Sequence, residues 1–253
     1  MIYDDRLGEE KINCQGCTMK IVDSFDNHNV TIMFDDDEKH IVENVYYYNF
    51  KKGRVKNPWA KTIVGVGYIG YDYRKQPISS LKSYSSWIHM LNRCYDEKNK
   101  HFENYGGSGI TVSDEWLSFF NYKKWYDENY YEIENDKMVV DKDILIKHNK
   151  IYSKDTCIIV PSKINKLFIT EKSIRGNLPI GVHYHSKNSV YTVSLSKKNK
   201  NGYLGCFNNV TEAFKAYKIA KESYIKEVAN EYKNKIPQKL YDAMINYKVE
   251  IGD

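Results

Sequence analysis

The sequence lacks the features of membrane-embedded and secreted proteins. No stretch approaches ~20 consecutive apolar residues, so no membrane span is expected. The first ten residues, MIYDDRLGEE, are acidic, which argues against a secretory signal peptide. The five cysteines do not follow the spacing of a disulfide framework, which favours a reducing compartment. We therefore expect a cytoplasmic protein with no membrane partner.

Charge is distributed unevenly along the 253 residues. Residues 1–50 contain 4 Lys or Arg and 11 Asp or Glu, a net charge of −7. Residues 51–170 contain 20 and 14, or +6, and residues 171–235 contain 12 and 5, or +7. The length leaves room for two or three small domains. An acidic beginning followed by basic middle and C-terminal parts predicts that the latter two face a polyanion.

Residues 1–57 are predicted to form a small β domain. Short runs of alternating apolar residues are separated by Asp- and Asn-rich turns. Their spacing favours a small SH3-like barrel. The runs are residues 19–22, 30–34 and 41–45.

Cys14 and Cys17 have the spacing of half a zinc site. A structural zinc ion needs four ligands, and no second pair of cysteines or histidines follows nearby. Ordinary free cysteines are therefore the favoured interpretation. His28 and His40 are interpreted as solvated loop residues rather than ligands.

A basic, glycine-rich stretch over residues 51–78 predicts a linker, assigned to residues 58–78. Its glycines lack the lysine and following helix of a phosphate-binding P-loop. The segment is either an extended connector or a strand that follows a DNA groove. In the second case four cations would contact phosphates: Arg54, Lys56, Arg74 and Lys75.

Residues 79–172 form the predicted central domain. A helix is predicted over residues 80–95, with an apolar stripe that marks a core contact. A glycine turn at 105–110 leads into a short strand, and Ser113 is predicted to cap a second helix. The tryptophans of both helices are interpreted as packing residues.

The second half of this domain has the order strand, loop, strand, helix. Residues 138–140 are a β-branched run that ends at Asp141, and residues 157–160 are a second apolar run. Pro161 ends that strand, Ser162 is predicted to cap a helix over 163–168, and Asn165 lies in its first turn. An acid after the first strand and an amide in the helix are oxygen ligands that suit a hard cation such as Mg²⁺.

This central domain resembles the HNH, or ββα-metal, nucleases of phage homing type. The resemblance covers roughly residues 80–170 and is carried by Trp87-x-x-Met90-x-x-Arg93-Cys94, the YGGSGI segment at 105–110, Trp116-x-x-Phe119, Tyr152-x-x-x-x-Cys157, Asp141 and Asn165. It implies a phage-encoded protein acting in the host cytoplasm with Mg²⁺ or Mn²⁺ as cofactor. It also implies that Asp141 and Asn165 bind the metal, with Asp143 nearby as a further ligand.

The chain departs from the HNH pattern at two positions. Lys142 stands where the family has the histidine that activates water, and Thr156 stands where many members have asparagine. The general base therefore does not carry over. Either Lys142 is the general base, or Lys142 contacts a phosphate while His148 or Asp143 takes the proton from the attacking water. An unperturbed imidazole has a pKa of about 6.5, which suits a general base at neutral pH.

Residues 176–235 are predicted to form three strands and a helix. The segment resembles the AP2-type DNA-binding domain in Tyr203-Leu204-Gly205-x-Phe207 and in Glu212-Ala213-x-x-Ala216-Tyr217. The resemblance implies that one sheet face enters the major groove and that the helix supports the other. The expected DNA face carries His183, His185, Lys187, Thr192, Lys197 and Lys198. Residues 236–253 are predicted to form a short closing helix.

Together these patterns predict an α+β protein that acts on double-stranded DNA as a monomer or homodimer. The leading hypothesis is a metal-dependent endonuclease that nicks one strand. The alternative is a DNA-binding regulatory or counter-defence protein with a degenerate, inactive HNH core. A purely structural or adaptor role has only the acidic N-terminal segment in its favour.

Overall fold

The computed structural model describes residues 4–24, 26, 28–71, 77–169, 177–197 and 200–253. The protein is mixed α+β and contains several small sheets. The chain forms two compact units, the first made of residues 1–128 and 151–153, and the second of residues 129–150 and 154–253. Within the described ranges, no helix is both long and apolar enough to cross a membrane.

The first unit begins with a four-stranded antiparallel sheet in the order β1-β2-β3-β4. The strands are β1 (Glu10–Ile12), β2 (Thr18–Ser24), β3 (Asn29–Phe34) and β4 (Ile41–Tyr46). Alternate side chains of β2 and β3 enter one core that the short helix α1 (Tyr47–Lys51) closes with Phe50. The three predicted apolar runs are confirmed as β2, β3 and β4.

The predicted barrel is wrong, because the sheet is open. The two outer strands, β1 and β4, each pair with one neighbour in the described part of the chain. Strand β1 has only three residues, and all three are exposed. Closure would need pairing between strands far apart in sequence, which local apolar alternation does not report.

The described part of the predicted linker is folded rather than extended. Ile63 and Gly67 form an antiparallel bridge, and Tyr68 forms a parallel bridge with Ser118. A Cβ atom at Gly67 would lie 2.5 Å from the end of the Leu91 side chain and 3.1 Å from the Trp87 ring, so glycine allows this close approach without a shift of either side chain. The glycines that favoured a linker therefore allow tight packing.

The rest of the first unit is built around aromatic side chains. Its elements are α2 (Lys82–Tyr95), β5 (Thr111–Val112), α3 (Asp114–Leu117), α4 (Phe119–Asn129) and β7 (Ile151–Tyr152), the last paired in parallel with β5. Trp87, Trp116, Phe119 and Tyr122 are fully buried, and the Trp87 indole donates to the Trp116 carbonyl over 2.7 Å. The prediction that these tryptophans are packing residues is confirmed.

The second unit contains the strand-strand-helix element predicted over residues 138–168. Strand β6 (Met138–Asp141) pairs antiparallel with β8 (Ile158–Pro161), and α5 (Ser162–Asn165) follows directly. Pro161, not Ser162, occupies the N-cap position, and no side chain caps the helix. The helix is also shorter than predicted, although hydrogen-bonded turns continue to Phe168.

A three-stranded sheet and two helices complete the second unit. The sheet has the order β11-β10-β9, and the elements are β9 (Val182–His185), β10 (Val190–Lys197), β11 (Lys200–Phe207), α6 (Val210–Glu231) and α7 (Gln238–Asn246). Asn209 caps α6 by accepting from the Glu212 amide over 2.8 Å. The predicted three strands and following helix are thus confirmed, whereas their similarity to the AP2 domain stays a prediction.

The strand-strand-helix element and the three-stranded sheet share one hydrophobic core. Ile158 and Ile164 belong to the same buried cluster as Val193 of β10 and Ile225 of α6. Helix α7 adds Leu240 and Met244, which are fully buried. The two segments that the sequence assigns to separate domains therefore fold as one unit.

Candidate functional site

Asp141 lies at the end of β6, where the chain turns away from the sheet. Its Oδ1 atom accepts hydrogen bonds from the amides of Asp143, over 2.8 Å, and Ile144, over 2.7 Å. Burial raises the pKa of this carboxyl group, while the two amide hydrogen bonds act in the opposite direction. The other oxygen, Oδ2, has no hydrogen-bond partner within the described part of the chain. One carboxylate oxygen is thus fixed and the other is available to a ligand.

Asn165 is the last residue of α5, the helix that follows β8 without a loop. Its side chain is half-buried and forms no hydrogen bond with the described residues. A carboxylate oxygen from Asp141 and an amide oxygen from Asn165 are both ligands that Mg²⁺ and Mn²⁺ accept. The donor set therefore fits the hard cation that the sequence predicts.

Lys142 is held inside the protein, with only 6% of its surface exposed. Its Nζ atom donates to both carboxylate oxygens of Asp143, over 2.7 and 2.6 Å, and to the Asn149 carbonyl over 2.9 Å. These three acceptors match the three N–H groups of an ammonium. Asn149 in turn donates to the Lys142 carbonyl over 3.0 Å. Lys142 therefore holds the 142–149 loop.

The same contact affects Asp143, the further metal ligand expected from the resemblance. Both of its oxygens bind the Lys142 ammonium, although the side chain is 43% exposed. Asp143 could bind a metal only by giving up part of this ion pair. Asp141 and Asn165 form no such ion pair with the described residues.

His148 projects from this loop into solvent. Its side chain is 65% exposed, and its backbone has a positive φ of 57°. Its Nε2 atom lies 3.9 Å from Oδ1 of Asp253, whose carboxylate is buried. The exposure leaves the imidazole accessible to a substrate, as a general base requires.

Asp253 is a residue that sequence patterns did not identify. Its carboxylate binds the Lys147 ammonium over 3.0 and 2.9 Å, across 106 positions of the chain. His148, Glu250 and Asp253 bring three metal-ligand atoms within 4.8 Å of one another. The Lys147 ammonium already neutralises the Asp253 carboxylate. We therefore interpret this cluster as a structural contact that anchors residues 250–253 to the 142–149 loop. No local sequence signal marks a contact over such a separation.

The outer face of the three-stranded sheet carries the expected DNA-contacting residues of β9 and β10. Strand alternation buries Val182 and Val193 against α6 and turns His183 and Thr192 to the opposite face. Thr192 is paired in register with Cys206 of β11, which is exposed. His185 and Lys187 are exposed at the adjoining turn. His183, His185 and Lys187 are thus exposed on one side of the sheet, and Thr192 is partly exposed there.

Lys197, another expected DNA contact, does not lie on that face. Lys197 lies on the helix side of the sheet, where its Nζ atom is 3.8 Å from a Glu227 oxygen and 4.9 Å from the centre of the Tyr224 ring. Arg54 and Lys56 are exposed in the first unit. Arg74, Lys75 and Lys198 fall outside the described residues.

The motifs that carry the HNH resemblance lie mainly in the interior of the first unit. The Arg93 guanidinium lies 4.6 Å from the centre of the Tyr105 ring and donates to the Tyr152 hydroxyl over 3.3 Å. A Cβ atom at Gly106 would lie 2.1 Å from the Cys94 carbonyl oxygen. These residues have a packing role that their spacing alone did not reveal.

Comparisons with protein-family models, curated proteins and solved structures found no match to this chain.

Proposed function

We propose that this protein is a metal-dependent DNA endonuclease of the HNH type that hydrolyses one strand of a duplex. The observation that carries the proposal is Asp141, a half-buried carboxylate at the end of β6 with one oxygen fixed by two amides. The helix that follows β8 contributes Asn165 from the same strand-strand-helix element. The second oxygen of Asp141 and the side chain of Asn165 form no hydrogen bond with the described residues, so both are available to a metal ion.

In this proposal Asp141 and Asn165 hold one Mg²⁺ or Mn²⁺ ion. The bound ion would polarise the scissile phosphate and stabilise the leaving oxygen. His148, exposed on the loop after β6, accepts a proton from the attacking water. The outer face of the three-stranded sheet and the basic charge of residues 171–235 hold the duplex. A monomer with one such site cuts one strand, and a homodimer would cut both.

A plasmid-nicking assay tests the proposal. Supercoiled DNA is incubated with the protein in Mg²⁺, in Mn²⁺ or in EDTA, and the open-circular product is measured. Nicking should require the metal and should disappear in Asp141→Asn, while duplex binding in a gel-shift assay stays close to wild type. Nicking that persists in EDTA or in Asp141→Asn would exclude this site.

A second candidate function is duplex binding without cleavage. The observation that favours it is Lys142, which occupies the position of the HNH histidine and has its three N–H groups bound internally. A lysine whose three N–H groups are all donated internally has none left for a phosphate. Tight duplex binding with no nicking in either metal would support this candidate over the first.

A further inference from the structure

A cavity of about 400 Å³ lies beside the N-terminal sheet of the first unit. It is bordered by β4, by α1 and by the segment that follows α1. The buried side chains of Val45 and Val55 line it, as does Tyr46, which is 63% exposed. Its volume falls within the range of small-molecule sites, about 300–1,000 Å³.

Two cations, Arg54 and Lys56, line this cavity. Both are exposed and flank the buried Val55. None of the described lining residues is acidic, and neither cation forms an ion pair within the described part of the chain. The cavity therefore offers two positive charges to a ligand.

The surrounding sequence restricts the size of that ligand. Residues 1–50 carry a net charge of −7, which repels a long polyanion. Two cations at one cavity can still attract an anion of one or two charges, such as a single phosphate group. Arg54 has the planar guanidinium that binds phosphate oxygens in pairs.

The backbone that carries the two cations is fixed. The buried Asn13 side chain donates to the Val55 carbonyl over 2.9 Å. The Arg54 amide donates to the Asn49 carbonyl over 2.9 Å. At Gly53, where φ is +64°, a Cβ atom would lie 2.9 Å from the Ile12 carbonyl oxygen. Such rigidity lowers the entropic cost of binding.

Polar groups in the cavity suit an aromatic ligand with hydrogen-bonding edges. Asn44 and Asn49 both line the cavity, and an amide side chain donates and accepts hydrogen bonds. Asn44 has a positive φ of 54° and lies where the pairing of β3 with β4 changes register. Such bulges redirect side chains, often beside binding sites. The exposed Tyr46 ring offers a stacking surface.

We propose that this cavity binds a nucleoside monophosphate group, supplied by a free nucleotide or by an unpaired nucleotide of a strand. Arg54 and Lys56 bind the phosphate, Tyr46 and the valine wall contact the base, and the two asparagines bind its polar edge. The proposal is independent of the endonuclease activity, because it involves neither the metal ligands nor the second unit.

The test is a binding titration of the full chain in EDTA, followed by amide chemical shifts. AMP and dTMP should shift residues 40–58, and adenosine or inorganic phosphate should bind at least about tenfold more weakly, because each lacks half of the contacts. Arg54→Gln should weaken nucleotide binding about tenfold or more, since a hydrogen bond to a charged group is lost. Lys61→Gln, an exposed lysine outside the cavity lining, removes the same charge and should change nothing.

One further ligand identifies the source of the nucleotide. If a tetramer of thymidylate binds more tightly than dTMP and Arg54→Gln weakens both, the natural ligand is a strand. Equal affinities indicate a free nucleotide. Inorganic phosphate binding as tightly as AMP, an unaffected Arg54→Gln, or no shift in residues 40–58 would each overturn the proposal. Because EDTA prevents cleavage, none of these results depends on nicking.

Discussion

Replacing Asp141 with asparagine should separate its function from its structural role. The amide oxygen of asparagine can still accept from the Asp143 and Ile144 amides, so both hydrogen bonds survive. Asparagine carries no charge, whereas burial raises the pKa of the native carboxyl and thus penalises its ionised form at neutral pH. In metal-free buffer at pH 7, Asp141→Asn should therefore be at least as stable as the wild type.

The alanine variant supplies the matched control. Asp141→Ala leaves both amides without their acceptor, which costs about 1–3 kcal/mol. For a chain of this size, 1 kcal/mol corresponds to about 2–4 °C in Tm. Asp141→Ala should thus melt several degrees below both the wild type and Asp141→Asn.

The pH dependence has a definite sign. A carboxyl whose folded pKa is raised loses stability as the pH rises through that pKa, and carries no penalty below its unfolded pKa of about 3.9. The advantage of Asp141→Asn over the wild type should therefore be greatest at neutral pH and vanish in acid. Thermal melts in EDTA between pH 4 and pH 8 measure it.

Metal addition completes this experiment. A ligand that binds only the folded protein stabilises it by about 2.7 kcal/mol at one hundred times its Kd. Mg²⁺ should raise the Tm of the wild type and leave that of Asp141→Asn unchanged. If Asp141→Asn melts as low as Asp141→Ala and Mg²⁺ stabilises neither the wild type nor the variant, Asp141 is a structural residue and the metal site is refuted.

Four other substitutions test separate parts of the structure. Lys142→Met should lower stability by about 1–3 kcal/mol, because the internal acceptors lose their donor; a normal Tm with no nicking would show a chemical role instead. His148→Ala should slow nicking about 10²–10⁴-fold with little change in Tm, as its side chain is exposed, and unchanged nicking would remove it as the base. Burial lowers the pKa of Lys221 to about 8, so Lys221→Met should stabilise the protein at pH 7 by up to about 3 kcal/mol. In denaturant melts, this gain in stability should fade as the pH rises from 8 towards 10.5. Gly181→Ala should destabilise the second unit, because φ is +76° and the new Cβ would lie 2.0 Å from the Tyr217 ring; an unchanged urea midpoint would contradict this packing.

Local patterns predicted the elements better than their contacts. Apolar runs bounded by turns predicted the strands β2, β3, β4, β6 and β8. A strand that buries one or both faces shows this burial in the apolar pattern of its own consecutive residues. Helix α6 carries local signals of the same kind, namely its cap at Asn209 and the helical spacing of Ala213, Tyr217 and Tyr224, all buried. These are features of a few consecutive turns or residues.

The failures concern partners that are distant in sequence. Closure of the N-terminal sheet depends on pairing between its first and last strands, and alternation carries no information on that pairing. The same limit applies to Asp253, which binds Lys147 across 106 positions. Lys142 presented a different difficulty. Its residue type indicates a solvated cation, whereas Asp143 and the Asn149 carbonyl allow it to be buried.

The shared core of the second unit determines how its proposed DNA contacts can be studied. Deleting residues 176–235 would remove Val193 and Ile225, which pack with Ile158 and Ile164 of the strand-strand-helix element. Such a deletion exposes this core, so lost binding or cleavage would report unfolding rather than a lost contact. Substitutions on the outer sheet face avoid the problem, because His183 is exposed and opposite the helix. The sheet that carries this face packs on the same core as the strand that carries Asp141. In the proposed function, duplex binding on the face and metal binding at Asp141 can therefore affect each other without a change of fold.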